Sequence, residues 1–437
     1  MTNKKKLVIG IGKTGRSCID FFKRHKISFK AFDTRNSESI NISDYEKHNP
    51  SAFRFEDFEE EFLDDVSEAI ISPGLNLQHK IIDVTRKLSI PLITDIELWS
   101  RYSDTPIIAI TGTNGKTTTV SMLEHLLNNL EIKSFACGNN GVPILESLKN
   151  NYEYLILELS SYQLEYTSKI KTLISLITNV EEDHLERHKE YNNYLAIKKR
   201  IFSNCKYALC NINLNNVMSD IKKYKYYGFD IKKKFFFINS ISNNEMKIID
   251  DIISYKNNSI VFKGFHNVDN LLAVLSVAEL LNINIDNAMS VLSSFNYPLH
   301  RIQLIKKNNN ILWYNDSKST NVSSTIAALK YIKKNILLIL GGSEKLLDFG
   351  KLNSYIEEKV KMIIFIGENR KSIRDHIITN TPMIDASSIS DAVEIAHKNA
   401  SSGDSVLLSP ASPSFDMFVD YEERGMEFIK AVNNIVK

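Results

Sequence analysis

The sequence predicts an α/β fold of three domains built on parallel sheets. Seven short and mostly apolar runs recur along the chain: Leu7–Ile11, Ile107–Ile110, Leu155–Leu159, Leu173–Ile177, Ile336–Leu340, Met362–Ile366 and Val406–Leu408. Runs that are apolar on both faces are typical of strands buried in a parallel sheet. Helix-like segments lie between several of them, as Val120–Asn129 does after Ile107–Ile110. This alternation indicates doubly wound sheets.

The length of 437 residues fits two to four domains at roughly 150 residues each. The first block ends near Thr94–Leu98, a second strand-turn-helix opens at Ile107, and the last block begins near His300. We therefore predict domains at residues 1–97, 98–299 and 300–437. The stretch from Lys206 to Lys263 is polar and rich in Asn and Lys, which predicts short strands and loops.

The composition excludes several classes of protein. A formal charge of +2 gives no global field for binding nucleic acid or an anionic membrane. The four cysteines form no CxxC pair, which fits a reducing compartment. The first apolar run is too short for a signal sequence, and no stretch reaches the ~20 apolar residues that cross a bilayer. We expect a cytoplasmic protein with no membrane and no nucleic-acid partner.

A phosphate-binding loop is the strongest local signal. The run Gly112-Thr113-Asn114-Gly115-Lys116-Thr117-Thr118 directly follows one apolar strand and precedes a helix-like segment. Glycines let backbone amides approach phosphates, a lysine reaches the β and γ oxygens, and a threonine can hold Mg²⁺. The alternative is a plain glycine-rich turn. Ile110 stands where the usual pattern has its first glycine, so the loop is a shorter variant.

A second glycine turn, Gly10-Ile-Gly12-Lys-Thr-Gly15, matches the dinucleotide fingerprint, and Asp33 follows near the ribose-binding position. Three interpretations are open: a tight strand-to-helix turn, an NAD site, or a site for another nucleotide diphosphate. Because the chain already carries a phosphate loop, a nucleotide-bearing substrate is favoured over a hydride cofactor.

Metal-capable side chains follow two further strands. Glu158 stands at the end of one apolar strand, where a carboxylate can complete a Mg²⁺ shell, and His184 lies beside Asp183 after the next. His184 and His188 are spaced like zinc ligands on a helix, but Leu185 stands where a zinc protease has glutamate. We therefore predict His184 in the site and His188 at the surface.

Three strand-end loops in the last block each carry polar side chains. They are Asn315–Asn321, Gly341–Lys345 and Ser409–Asp416. Any one of them could be a capped turn, but three in the same topological position predict an anion-receiving pocket.

Taken together, these motifs resemble the Mur ligase family over essentially the full chain. The matching segments, in the family's order, are Ser72–Gly74, Asp95–Leu98, Gly112–Thr118, Gly138–Gly141, Glu158–Glu165, Asn179–His184, Asn315–Lys318 and Leu408–Ala411. The resemblance implies a Rossmann-like N-terminal domain, a central phosphate-loop ATPase-like domain with a parallel sheet, and a Rossmann-like C-terminal domain.

The resemblance also implies the site residues. ATP would be bound by Gly112, Thr113, Asn114, Gly115, Lys116, Thr117, Thr118, Asn270, Arg301 and Asp316. A UDP-linked substrate would be bound by Gly12, Thr14, Gly15, Asp33, Thr34, Arg35, Asn139 and His184. D-glutamate would be bound by Lys318, Thr320, Lys345, Ser414 and Tyr421. The catalytic residues would be Lys116, Glu158, His184 and Lys198.

Two Mg²⁺ ions are implied as well, one with Thr117 and Glu158 and the other with His184 and a carbamylated Lys198. Tyr194–Ile201 fits the family pattern around that lysine, although its interval from His184 is one residue shorter and Lys199 is adjacent. The loop Gly341-Gly342-Ser343-Glu344-Lys345 departs from the more usual Gly-Gly-Asp-Gly-Lys.

The implied reaction is ATP-dependent ligation of D-glutamate to UDP-N-acetylmuramoyl-L-alanine through an acyl phosphate, in the synthesis of peptidoglycan precursors by a monomer. The alternatives are a sibling Mur ligase or folylpolyglutamate synthase-like ligase that adds another amino acid, a nicotinamide oxidoreductase, and an ATP-gated binding module without turnover.

Overall fold

The computed structural model of the chain describes residues 4–40, 50–75, 79–167, 170–214, 224–230, 235–237, 246–249, 252–256, 258–261, 265–333, 335–344 and 347–436. In chain order its strands are β1 (Lys5–Ile9), β2 (Phe29–Asp33), β3 (Phe53–Phe55), β4 (Val66–Ile71), β5 (Leu92–Ile93), β6 (Ile107–Thr111), β7 (Ser134–Gly138), β8 (Tyr154–Glu158), β9 (Thr172–Ile177), β10 (Cys205–Asn211), β11 (Tyr224–Asp230), β12 (Phe235–Phe237), β13 (Met246–Ile249), β14 (Ile252–Tyr255), β15 (Asn258–Val261), β16 (Gln303–Asn308), β17 (Ile311–Asn315), β18 (Ile336–Leu340), β19 (Val360–Phe365), β20 (Met383–Asp385) and β21 (Ser405–Leu408).

The α-helices of the described residues are α1 (Lys13–Arg24), α2 (Lys80–Lys87), α3 (Asp95–Trp99), α4 (Lys116–Asn129), α5 (Ser161–Tyr166), α6 (Leu185–His188), α7 (Tyr191–Lys199), α8 (Phe265–Leu280), α9 (Ile285–Leu292), α10 (Val322–Tyr331), α11 (Asn353–Lys359), α12 (Arg370–His376), α13 (Ile389–Asn399) and α14 (Tyr421–Ile435). None of the helices in these ranges combines the length and apolar character that crossing a bilayer requires.

The chain divides into two compact units. The first contains residues 1–112, 119–178 and 195–226, and the second contains residues 113–118, 179–194 and 227–437. The predicted domain boundaries after residues 97 and 299 stay a prediction.

The first sheet of the first unit has the order β3-β2-β1-β4-β5, and every neighbouring pair is parallel. Its central strand β1 buries Leu7, Val8 and Ile9 because layers of residues cover both faces. The chain leaves β1 at Gly10 and enters α1, which turns Cys18, Phe21 and Phe22 inward. The glycine turn Gly10–Gly15 therefore lies at the carboxyl edge of this sheet.

In the second sheet, the five neighbouring strands β10-β9-β6-β8-β7 of this unit pair in parallel with one another. All five residues of β6 are buried. Pairing sets Ile110 opposite Glu158 and Thr111 opposite Ile177. The ends of β6, β8 and β9 therefore meet at one edge of the sheet, where ligands bind in open α/β sheets.

The six-stranded sheet of the second unit has the order β16-β17-β21-β18-β19-β20, with only β16 antiparallel. Buried aliphatic clusters cover both faces, one around Leu338 and Phe349 and the other around Trp313 and Phe428. Register places Asn315 and Ile339 opposite Leu408. The three predicted loops therefore leave the same edge of one sheet.

The prediction of an α/β fold with parallel sheets is confirmed. The polar stretch 206–263 contains short strands where it is described, including the antiparallel set β13-β14-β15.

Candidate active site

Residues 113–118 of the phosphate loop belong to the second unit, where an asparagine that follows β9 holds them. The Thr113 amide donates to the Asn179 carbonyl at 2.9 Å, and the Asn114 amide donates to Asn179 Oδ1 at 2.8 Å. Lys116 Nζ donates to the Thr113 carbonyl at 2.8 Å. The lysine side chain thus folds back onto the loop. Its ammonium group could leave the Thr113 carbonyl and bind phosphate oxygens instead.

Gly115 touches a second residue predicted to bind ATP. Its φ is +83°, and a Cβ there would lie 2.4 Å from Asn270 Oδ1. Glycine is required both by the backbone conformation and by this close approach. Asn270 is buried on α8, and its Nδ2 donates to Asn267 Oδ1 at 2.9 Å. Sequence analysis gave no role to Asn267, one helical turn earlier, although i,i+3 amide pairs are a recognisable signal.

His184 has a left-handed backbone, with φ 54° and ψ 33°. This conformation is costly for a residue with a Cβ and persists where neighbours hold it. Here the Asp183 carboxylate accepts the His184 amide at 2.9 Å, and His184 Nε2 lies 3.6 Å from Asp183 Oδ2. His184 Nδ1 lies 3.5 Å from Glu186 Oε1. The ring is therefore held between two carboxylates.

The prediction of a surface position for His188 is wrong. The side chain is buried, and its ring centroid lies 5.3 Å from that of Tyr194 on α7. The tight connection between α6 and α7 brings the two rings together. Tyr194 also reaches the phosphate loop, with its hydroxyl 3.1 Å from Thr113 Oγ1.

Two residues of the first unit that were predicted to be catalytic are fully buried. Glu158 Oε1 accepts from Asn139 Nδ2 at 2.9 Å, while Oε2 has no hydrogen-bond partner among the described residues. Lys198 is 1% exposed, and its Nζ donates to the Gly112 carbonyl at 2.8 Å. It also lies 3.5 Å from Thr111 Oγ1. Buried ionisable groups of this kind cluster at functional sites.

The first glycine turn is held by Asp33. Its carboxylate accepts the Ile11 amide at 2.6 Å and pairs with the Arg35 guanidinium through bonds of 2.9 and 3.0 Å. Burial opposes ionisation of Asp33, but these hydrogen bonds lower its pKa overall. Gly12 is the N-cap of α1 and has no capping side chain. Thr14 is half-buried and Thr34 is exposed at this turn.

Asp316 organises the strand-end loops of the second unit. It accepts from the hydroxyls of Ser319 and Ser409 at 2.5 and 2.8 Å and from the Ile302 amide at 3.1 Å. Burial raises the pKa of Asp316 to about 6, although those hydrogen bonds and the charge of Arg301 act in the opposite direction.

The residues predicted to bind D-glutamate are only partly brought together. Lys318 Nζ lies 3.5 Å from the centroid of the Tyr421 ring, a cation–π contact. Ser414 is buried and Thr320 half-buried. Lys345 lies outside the described residues.

Two buried residues that sequence analysis missed join these loops. Arg424 on α14 donates to Ser317 Oγ and to the carbonyls of Ser317, Ser412 and Pro413 at 2.8–3.1 Å. Asn369 accepts from the Gly342 amide at 2.8 Å and donates to the Ser343 carbonyl and Ser412 Oγ. No local pattern distinguishes either residue from a surface polar side chain.

Comparison with known protein families matches three successive segments. Residues 4–94 match the MurD-like N-terminal domain of Mur ligases, residues 110–278 the Mur ligase middle domain, and residues 300–412 the Mur ligase glutamate ligase domain. A protein of Thermoanaerobacter sp. (strain X514) named UDP-N-acetylmuramoylalanine--D-glutamate ligase is 36% identical, with 99% of this chain and 98% of that protein aligned. A protein of Buchnera aphidicola subsp. Acyrthosiphon pisum (strain Tuc7) with the same name is 35% identical over the same shares.

Solved structures share the fold at low identity. A pseudomurein peptide ligase type C from Methanothermus fervidus superposes with a TM-score of 0.64 at 19% identity, covering 99% of this chain and 100% of that one. A MurF ligase from Thermotoga maritima in complex with ADP gives 0.62 at 16% identity, covering 99% and 96%. With relatives above 30% identity along nearly its whole length, the chain belongs to the Mur ligase family.

Proposed function

We propose that this chain joins D-glutamate to UDP-N-acetylmuramoyl-L-alanine at the expense of ATP, in peptidoglycan precursor synthesis. The observation that carries the proposal is end-to-end likeness, at 33–36% identity, to relatives named for this reaction. The phosphate loop and the polar strand-end loops described above supply the chemistry that the reaction needs. We further propose a monomer working in the cytoplasm, where ATP is available, with domains at residues 1–97, 98–299 and 300–437.

The substrate's alanyl carboxylate would attack the γ-phosphorus of ATP, forming an acyl phosphate and releasing ADP. The D-glutamate amine would then attack the acyl carbon and expel phosphate. Lys116 and the amides of Gly112–Thr118 would stabilise the phosphoryl charge. Asn270 would contact adenine, and Arg301 and Asp316 would bind the nucleotide. Lys116 is suited to this because it belongs to the loop itself, where its Nζ already donates to the Thr113 carbonyl.

Two Mg²⁺ ions are proposed for the reaction, and the donor set fits them. Glu158 Oε2 is a buried carboxylate oxygen without a hydrogen-bond partner among the described residues, which is the kind of atom a hard cation takes. Among the described residues, no group of three or more His, Cys, Asp or Glu side chains is arranged to hold a metal ion, so other donors must contribute. We propose Thr117, His184 and Lys198 as further ligands. When bound, the ions neutralise phosphate charge.

Lys198 would serve as a ligand after carbamylation. Its uncharged amine adds to CO₂, losing one proton, and the resulting carbamate is an anion with two oxygens. The amine is buried, and it donates to the Gly112 carbonyl and the Thr111 hydroxyl at the end of β6. Carbamylation would therefore change the charge at this position from +1 to −1 beside the end of β6.

The UDP-linked substrate would bind at the first glycine turn. The residues proposed are Gly12, Thr14, Gly15, Asp33, Thr34 and Arg35, with Asn139 and His184 for the muramoyl-alanine end. Support comes from the uncapped amino end of α1 at Gly12, because the free amides of a helix start attract phosphate.

D-glutamate would bind through Lys318, Thr320, Lys345, Ser414 and Tyr421. Lysines suit the two carboxylates of this amino acid. Support comes from Lys318 and Ser414, whose loops leave one edge of the six-stranded sheet and are joined by Arg424.

A phosphate-release assay tests the proposal. UDP-N-acetylmuramoyl-L-alanine and ATP are supplied with a panel of D- and L-amino acids, and only D-glutamate should support rapid release. Preference for L-alanine, a diamino acid or a folate substrate would instead identify a sibling ligase. Nicotinamide absorbance changes without ADP release would indicate an oxidoreductase, and ATP binding without turnover would indicate a binding module.

A further inference from the structure

Asn321 is the last residue of the segment Asn315–Asn321, which we propose binds the amino acid, and it directly precedes helix α10. It is the N-cap of α10, and its Oδ1 accepts the Ser324 amide at 2.9 Å. Its Nδ2 is turned away from the helix and donates to Asp183 Oδ2 at 3.2 Å and to Asn114 Oδ1 at 3.3 Å. The side chain is 5% exposed. Capping uses only the oxygen, so the two bonds made by the nitrogen need another explanation.

The contact with Asn114 ties the phosphate loop to the first turn of α10. Asn114 Nδ2 donates to Ser323 Oγ at 2.8 Å, and Asn114 Oδ1 also accepts from Ser324 Oγ at 2.8 Å. The backbone amide of Asn114 is meanwhile held by Asn179. Three side-chain bonds therefore join the loop predicted to hold ATP to the helix that follows Lys318 and Thr320.

The contact with Asp183 ties the same helix to His184. Asp183 is buried, and while its Oδ2 accepts from Asn321, its Oδ1 accepts the amide of His184 in its left-handed conformation. Rotation of the Asp183 carboxylate would break both bonds. Asn321 thus helps to fix the backbone from which the His184 ring projects.

We propose that Asn321 is a positioning residue that couples the phosphate loop to the segment Asn315–Asn321 during turnover. The inference rests on the proposed function, because it assigns the segment to the amino acid and the loop to ATP. An acyl phosphate formed at the loop reacts with whichever nucleophile reaches it first. Holding the amine in reach raises its effective concentration, and holding the two segments together excludes water. Asn321 therefore favours amide formation over hydrolysis.

The test removes the Nδ2 donor of Asn321 and keeps a side-chain oxygen that can cap α10. Asn321→Asp and Asn321→Ser both retain a good N-cap oxygen, whereas neither can donate from the position of Nδ2. We expect amide formation to fall about 30-fold or more, the range for losing two buried hydrogen bonds, one of them to a carboxylate. We also expect the ratio of phosphate released to amide formed to rise above one at low D-glutamate and to return toward one as D-glutamate increases.

Asn284→Asp is the matched control, because Asn284 is the N-cap of α9 and accepts the Asn287 amide at 3.2 Å. It should leave rate and ratio unchanged. A ratio that stays at one in both Asn321 variants would overturn the proposal, and so would a rate loss that merely tracks a lower thermal unfolding temperature, since a purely structural defect removes active enzyme without uncoupling the survivors.

A second measurement does not depend on the identity of the substrates. Asn114→Ala, Asn321→Ser and the double variant are compared for the Kd of a fluorescent ATP analogue. Coupling predicts that the double variant binds no more weakly than the weaker single one, whereas independent multiplication of the two effects would overturn it. If the parent chain shows no D-glutamate-dependent turnover, the proposed function fails while this cycle still decides whether the two asparagines act as a unit.

Discussion

The two glycine turns look alike in sequence but differ in what surrounds them. Each follows a buried strand, β1 or β6, and each opens a helix, α1 or α4. In the first turn, a Cβ at Gly15 would lie 1.9 Å from the Gly10 carbonyl, so the backbone packs on itself. In the phosphate loop, Gly115 packs against the side chain of Asn270. The first constraint is internal to the turn, and the second depends on another element.

The charges differ as well. The Ile11 amide of the first turn is taken by the carboxylate of Asp33, whereas the Asn114 amide of the phosphate loop is taken by the uncharged side chain of Asn179. The Asp33 carboxylate occupies the Ile11 amide and suits sugar hydroxyls, so at this turn phosphate is left to the amino end of α1. An amide with a nearby lysine suits phosphates. The neighbours of a glycine motif, rather than its spacing, therefore determine which ligand it fits.

The largest effect is expected from Lys116→Ala. Removing the cation from the phosphate loop should slow acyl phosphate formation by about 10²–10³-fold or more, because it removes charge stabilisation of the transferring phosphoryl group. The matched control is Lys13→Ala in the first turn, which should leave the KM for ATP unchanged. Phosphate release and binding of the UDP-linked substrate are measured for both. Activity of Lys116→Ala above a few per cent of the parent would remove the distinction between the turns.

Lys198→Ala should lose most activity, by about 10²-fold, because a proposed metal ligand disappears beside the end of β6. Short carboxylic acids should restore part of it by replacing the carbamate. Lys199→Ala is the matched control and should keep its activity without any response to carboxylates. If Lys199→Ala instead loses activity and responds to carboxylates while Lys198→Ala does not, the metal ligand is Lys199 rather than Lys198. Initial rates with and without added acetate decide the question.

Substituting single glycines should separate the two kinds of constraint. Gly115→Ala forces a Cβ against Asn270 at a left-handed φ and should weaken ATP binding about ten-fold or more, since a strained backbone typically costs on the order of 1–3 kcal/mol. Gly15→Ala should instead destabilise the fold by a similar amount, because its clash is with backbone. Gly12→Ala has open space around the new Cβ and a φ of −78°, so its unfolding midpoint in urea should barely move. Equal behaviour of all three would contradict the comparison.

The smallest effect concerns pH. Hydrogen bonds lower the pKa of Asp33 in the folded state, so its contribution to stability is present above the unfolded pKa of about 3.9 and is lost as pH falls through the folded value. Because Arg35 is about half exposed, we expect Asp33→Asn to cost only about 1 kcal/mol at pH 7. The cost should shrink as the pH falls below the unfolded pKa of about 3.9 and through the lower folded value. Urea unfolding of parent and variant across pH 2–7 measures it.

Asp316 provides a control of opposite sign for that experiment. Its pKa is raised to about 6, so its ionisation destabilises the fold as pH rises from about 4 to 6. Asp316→Asn should flatten that decline. If the free energy of unfolding changed equally in the parent and in the Asp316→Asn variant between about pH 4 and 6, the burial argument would be contradicted.

Much of the fold could be predicted because strands buried in a parallel sheet have short, nearly continuous apolar sequences. The run Ile336–Leu340 coincides with β18, and Ile107–Ile110 with all but the last residue of β6. His188 was misjudged because the prediction rested on its distance along the chain from the strand end, whereas its ring packs against Tyr194 on the following helix. Arg424 and Asn369 could not be found, since their roles lie in bonds to loops far away in sequence.

The buried guanidinium of Arg424 has a consequence for how the enzyme is made. Its partners Ser317 and Ser412 are synthesised earlier, and the loop at Ser317 precedes it by 107 positions. Domains fold as the chain emerges from its amino end. The phosphate loop can therefore form before Arg424 is available to join the loops near Ser317 and Ser414. A chain that stops before Arg424 therefore lacks the guanidinium that joins the loops at Ser317 and Pro413.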